Sequence, residues 1–138
     1  VSIISIGVAD LARSVEFYRD GLGFPLGEDD SANGIAFFDL EDGARLVVWT
    51  FDFMATDTGE PVGGAPSITL GHAVSSRAEV DEVMDLARRA GARIVRDPVT
   101  LSWGGYSGYF ADPDGHLWEA VWIPPRYGWA DGRYEGTD

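Results

Sequence analysis

Residues 103–123 read WGGYSGYFADPDGHLWEAVWI. Two apolar runs, WGGYSGYF and HLWEAVWI, flank Asp112-Pro113-Asp114-Gly115, whose residue types are those of a tight turn, so the stretch reads as a β-hairpin. Counting outward through the turn sets Glu119 near Gly108. It gives the two strands one inward face of Tyr106, Phe110, Leu117, Glu119 and Val121. Trp118 and Trp122 alternate away from Glu119, to a face packed under a helix.

The same hairpin occurs earlier in the chain. GIAFFDL and RLVVWT flank Glu41-Asp42-Gly43, so residues 34–50 form a second one, with Ala36, Phe38, Val47 and Trp49 on its inward face by the same counting. Upstream of each hairpin lie a strand and a helix. In the first half, Ile3 to Val8 is β-branched and apolar, Asp10 stands at a helix N-cap, and Leu11, Val15, Tyr18 and Leu22 follow at helical spacing before Gly21 and Gly23. A short strand near Phe24 to Gly27 completes a β-α-β-β-β order.

The second half repeats that order. A strand from Ser67 to Val74 leads into Ser76-Arg77-Ala78-Glu79, a capping box in which the Ser hydroxyl and the Glu carboxylate satisfy free N–H groups. Val80, Val83, Met84, Leu86 and Ala87 form the buried stripe, Ala90-Gly91 ends the helix, and Ala92 to Val95 gives a short strand. The expected fold is therefore α+β, with two βαβββ modules (1–50 and 67–124) that form paired half-barrels sharing a cavity within one domain, 1–124. The segment 51–66, rich in Gly, Pro and acids, reads as a connecting loop, or as a lid carrying Phe51, Phe53 and Met54. The tail, 125–138, has no apolar period and reads as a partner-wrapping or frayed end.

Composition narrows the function classes. A formal charge of −13 at a pI near 4.3, with no cluster of Lys or Arg, argues against nucleic-acid binding. The same charge could draw in a cationic ligand, or simply keep the protein soluble. No apolar run reaches the length of a membrane span, and the first residues read as a strand rather than a signal peptide. The absence of cysteine leaves no disulfide framework or thiolate metal site and fits a cytoplasmic protein.

The motifs GVADLARSVEFYRDGLGF, SRAEVDEVMDLARRAGARI and WGGYSGYFADPDGHLWEAVWIP resemble the vicinal-oxygen-chelate superfamily, the glyoxalase, bleomycin-resistance and extradiol-dioxygenase group, over nearly all of residues 1–124. The resemblance implies paired modules and usually a homodimer. It also implies activities that range from glyoxalase-type isomerisation, ring-cleaving dioxygenation and epoxide opening to antibiotic sequestration. Many members carry a His on the first strand and a Glu or Gln on the last strand of each module as metal ligands. Carried over position by position, those four places hold Ile3, Val47, Thr69 and Glu119 here. Only Glu119 survives as a ligand, so no metal and no cofactor are expected. His72 falls on the helix-packed side of its strand and His116 on an exposed turn.

The candidate ligand-binding residues are accordingly Phe38, Trp49, Trp103, Tyr106, Phe110 and Glu119, an aromatic pocket around one carboxylate. The same aromatics would also serve as barrel filling, the favoured reading for Phe38 and Phe110, and Trp103-Gly104-Gly105 as a strand entry. Glu119 is the candidate catalytic residue, because an apolar setting disfavours its charged form unless a partner compensates. Two function classes follow. One is a metal-independent protein that binds and sequesters an aromatic or cationic metabolite or antibiotic. The other is a glyoxalase-like lyase or isomerase, or a dioxygenase-like enzyme, with Glu119 as general base or metal ligand. A subunit with a vestigial cavity, built for association, is a third reading.

Overall fold

The computed structural model describes residues 1–64, 66 and 68–136 and divides into two compact units, residues 1–66 and 67–138. The first unit runs β1 (Ile3–Val8), α1, β2 (Leu26–Asp30), β3 (Ile35–Asp39), β4 (Arg45–Thr50) and α2 (Phe51–Thr58). Here α1 is an α-helix over Leu11–Val15 that widens into a π-helix over Glu16–Gly21. The second unit runs β5 (Thr69–Val74), α3 (Arg77–Arg89), β6 (Arg93–Thr100), β7 (Tyr106–Ala111), β8 (Leu117–Trp122), β9 (Trp129–Ala130) and β10 (Arg133–Tyr134). The expected β5 start at Ser67 lies outside the described residues, whereas β6 is longer than the short strand foreseen.

The two units have the same topology. Their sheets are ordered β1-β4-β3-β2 and β5-β8-β7-β6, with the first and last strands of each module parallel and the hairpins antiparallel. The repeated β-α-β-β-β order is therefore an α+β fold of two modules, each sheet carrying its own helix. The parallel neighbours need a crossover, which the helix supplies.

Each helix buries one face of its sheet. Ile6, Val8, Ala36, Phe38, Leu46 and Val48 close on Leu11, Val15 and Tyr18 in the first unit, and Ala120, Phe110 and Trp118 on Val80, Met84 and Ala87 in the second. The Asp10 carboxylate accepts the Arg13 N–H, and the Ser76 hydroxyl accepts the Glu79 N–H at 3.2 Å. Glu79 reaches back to the N–H of Ser75, 2.7 Å away, one residue earlier than in the standard box. Ser76→Ala is expected to lower the unfolding free energy by about 1 kcal/mol in urea titration.

Two segments differ from the expectation of irregular chain. Thr50 caps α2 by accepting the Phe53 N–H at 3.1 Å, and Gly59 ends it at φ 77°, so the connecting loop begins with two turns of helix. Beyond β8, the tail forms a short hairpin, β9–β10, around Asp131-Gly132 at φ 50° and 76°. Those positive φ values are what a two-residue hairpin turn requires, and Asp-Gly tolerates them. Among the described residues no helix is long and apolar enough to cross a membrane.

Candidate functional site

The register of each hairpin decides which side chains meet. In the β7–β8 turn the Asp112 N–H donates to the His116 carbonyl at 2.9 Å, while the Asp112 carboxylate accepts the N–H groups of Asp114 and His116. Asp112 and His116 therefore pair, leaving a loop of Pro113, Asp114 and Gly115 with Gly115 at φ 89°. The ladder then continues as Ala111↔Leu117, Phe110↔Trp118, Tyr109↔Glu119, Gly108↔Ala120 and Tyr106↔Trp122. This is one residue from the pairing expected from the sequence, and a slip of one residue exchanges the faces of a strand. His116 is half-buried in the turn rather than exposed.

The predicted pocket residues consequently separate. Tyr106 lies on the α3 side: its hydroxyl donates to Asp81 at 2.7 Å, and the Arg77 guanidinium stands 5.4 Å from its ring. Phe110, 1% exposed, stacks in parallel on Trp118 with centroids 6.3 Å apart, as part of the core beneath α3. The first hairpin shows the same slip: Leu40 pairs with Ala44, and Phe38 opposes Leu46 rather than sharing a face with Val47. Phe38 is fully buried against Tyr18 of α1 at 5.9 Å, and Ala36 is buried on the same side. Trp49 does lie on the face opposite α1, where its ring meets Phe53 of α2 at 5.5 Å and its indole Nε1 has no acceptor among the described residues. Trp103 sits in the turn before β7, its carbonyl accepting from Arg126 and from the Tyr127 hydroxyl at 2.9 Å. As expected, His72 pairs with Ala120, and Trp118 and Trp122 lie on the helix side.

Glu119 remains on the helix-free face of the second sheet, and its neighbours are new. Tyr109 stands opposite it on β7, and Arg96 of β6 stands opposite Tyr109. The guanidinium lies 4.9 Å from the Tyr109 ring and donates through Nη2 to the Ser107 carbonyl at 2.9 Å and to its hydroxyl. The Arg96 Nε is buried without an acceptor among the described residues. On the other side of Glu119 is Gly71 of β5, above whose Cα no atom of the described residues lies within 4 Å of where a Cβ would stand. A carboxylate is thus set between a phenol and a strip of bare backbone.

This arrangement raises the Tyr109 pKa above the ordinary 10.0. Burial is the first cause, the charge of Glu119 and a hydrogen bond with it add to the rise, and Arg96 opposes it. The Tyr106 pKa is also raised, chiefly by its hydrogen bond to Asp81. A phenol that holds its proton more tightly when folded stabilises the native state below pH 10, and that contribution is lost as pH climbs through the raised value. Stability is therefore expected to fall above pH 10, less steeply in Tyr109→Phe. Glu119→Gln is expected to move the Tyr109 titration downward, read from phenolate absorbance.

The metal positions implied by the resemblance can be checked against the donor set within each unit. Thr69 and Glu119 share the helix-free face of the second sheet, and Ile3 and Val47 share that of the first. Neither two aliphatic groups in the first unit nor a hydroxyl and one carboxylate in the second fits the donor set of a divalent-metal centre. Among the described residues no cluster of three or more His, Cys, Asp or Glu side chains is placed to hold an ion.

Comparison with known proteins agrees with this architecture. The sequence model of the Glyoxalase/Bleomycin resistance protein/Dioxygenase superfamily matches residues 1–120. The crystal structure of a glyoxalase-related enzyme from Fulvimarina pelagi is 32% identical, covers 100% of this chain and 98% of its own, and superposes with a TM-score of 0.87. A glyoxalase/bleomycin resistance protein/dioxygenase from Nocardioides is 26% identical over 100% of this chain and 88% of its own, at a TM-score of 0.74. A lactoylglutathione lyase of Arabidopsis thaliana is 26% identical over 121 residues, 83% of this chain and 41% of that protein. The chain thus spans about two fifths of the length of that curated relative.

Proposed function

The chain belongs to the Glyoxalase/Bleomycin resistance protein/Dioxygenase superfamily, and from that premise we propose that it is a metal-independent small-molecule binding protein whose ligand lies beside Glu119. The observation that carries this reading is the half-buried Glu119, facing Tyr109 across the β7–β8 ladder on one side and bordered on the other by the open backbone of Gly71. A bare glycine lets a ligand approach the sheet closely, and the carboxylate gives a cationic or hydrogen-bond-donating group its counter-charge. The ring of Tyr109 supplies a flat surface for a planar molecule. The acidic chain favours the approach of a cation.

The register alters the composition of this pocket. Phe38, Tyr106 and Phe110 belong to the helix-side layers, so recognition rests on Glu119 and Tyr109 with Arg96 and Ser107 behind them. A homodimer in the cytoplasm, binding an aromatic or cationic metabolite or antibiotic, is the setting this reading proposes. Neither nucleic acid nor membrane is a partner in it. Calorimetric titration with proflavine, a planar cation, is expected to show saturable binding that survives treatment of the protein with a chelator. No binding, or binding that is lost with chelation and restored by metal, would contradict it.

One observation favours a second reading. Glu119 and Tyr109 stand opposite each other in the β7–β8 ladder, and a carboxylate beside a phenol of raised pKa is equipped to take a proton and return it. In that case the chain is a metal-free lyase or isomerase of the glyoxalase type, with Glu119 as base. Formation of S-lactoylglutathione from methylglyoxal and glutathione that survives a chelator and is abolished in Glu119→Gln would establish it.

A further inference from the structure

The tail hairpin borders a separate, half-open cavity. It has a volume of about 190 Å³ and is walled by Ser75 at the end of β5, Trp122 and Ile123 at the end of β8, and Trp129, Asp131 and Gly132 of the hairpin. Its hairpin wall, residues 129–132, lies beyond residues 1–120, the part matched by the family model. The hairpin is firmly seated. A Cβ at Gly132 would stand 2.5 Å from the Ala73 carbonyl oxygen, so only glycine allows the tip to rest on β5. The Glu135 N–H donates to the Gly128 carbonyl at 2.7 Å, and Tyr134 packs on Trp129 at 5.8 Å.

We propose that this cavity is a second ligand site, selective for a small aromatic ring carrying an ammonium group. Its volume suits one ring: cavities of about 150 Å³ in other proteins admit benzene. Two tryptophans in the wall provide the aromatic surface, which favours a ring and a neighbouring cation. Asp131 is the carboxylate in the lining, and Ser75 supplies a hydroxyl. Arg77 lies 5.2 Å from the Trp122 ring, but it is directed to Thr100 at 2.9 Å and is not part of the wall.

The test uses the full chain with benzylamine at neutral pH, where it is an ammonium ion, and benzoate as the anionic comparator. The indole N–H resonances of Trp122 and Trp129 are expected to shift saturably with benzylamine and not with benzoate. Asp131→Asn should weaken the binding about fivefold, as loss of one exposed charge pair does. Gly132→Ala, which lifts the hairpin, should abolish it. Shifts that benzoate produces equally, or that Asp131→Asn and Gly132→Ala both leave unchanged, would overturn the proposal, as would no shift up to the solubility of the amine. Displacement of the amine by proflavine would place it at Glu119 and overturn the proposal too, whereas retention of the shifts in the presence of proflavine supports two separate sites.

Discussion

Phe110→Ala is expected to lower the unfolding free energy by about 3–5 kcal/mol, seen as a large fall in the urea midpoint. The ring is 1% exposed and lies flat on Trp118, in the layer that α3 closes with Val80, Met84 and Ala87. Removing it leaves a cavity that neighbouring side chains fill only in part, and the stack with Trp118 is lost as well. Had Phe110 lined a ligand pocket, as counting through the turn suggests, truncation would act mainly on affinity. The register predicts the reverse, with a large stability loss and native-like proflavine affinity in the fraction that stays folded.

The second large effect concerns Glu119. Glu119→Gln keeps the shape of the side chain and removes its charge, so a cationic ligand loses a charge-assisted contact worth about 1.5–3 kcal/mol, or at least tenfold in affinity. Folding should change little, because Glu119 lies outside the helix-packed core and is only half-buried. Calorimetry on the variant checks the affinity, and a urea titration checks that the fold is intact. An unchanged affinity would move the ligand away from this face.

Much of the fold was legible in the sequence because its signals are local. The two rounds of strand, helix, strand and hairpin were marked by Asp10, by the Ser76–Glu79 cap and by two glycine-bearing turns, each of which acts within a few residues. Register is a different matter. Asp112 could either end a four-residue turn or pair with His116, and its carboxylate selects the second by accepting two N–H groups. That single residue sent Tyr106 to the α3 side and Phe110 to the core, and brought Tyr109 opposite Glu119. Tyr109 and Ser107 were missed for this reason, since strand alternation about the correct pair would have found them, and Arg96 because β6 runs on past Val95.

The two overlooked elements have equally physical causes. In FDFMATDT the helical signal is brief, and its cap, Thr50, belongs to the preceding strand. The tail carries an Asp-Gly turn, but β9 and β10 have two residues each, too few for an alternating pattern to register. What fixes that hairpin is the seat of Gly132 on β5, a contact between residues about sixty positions apart that no local pattern announces.

The claim that the ligand lies on the helix-free face, between Tyr109 and Gly71, is tested most directly by titrating proflavine into Tyr109→Phe and Tyr106→Phe side by side. Loss of the Tyr109 hydroxyl removes the polar group that faces Glu119 across the ladder and is expected to weaken binding several-fold, while Tyr106→Phe, whose hydroxyl serves Asp81 on the helix side, should leave affinity as it was. Weakening by Tyr106→Phe with none by Tyr109→Phe would contradict the account.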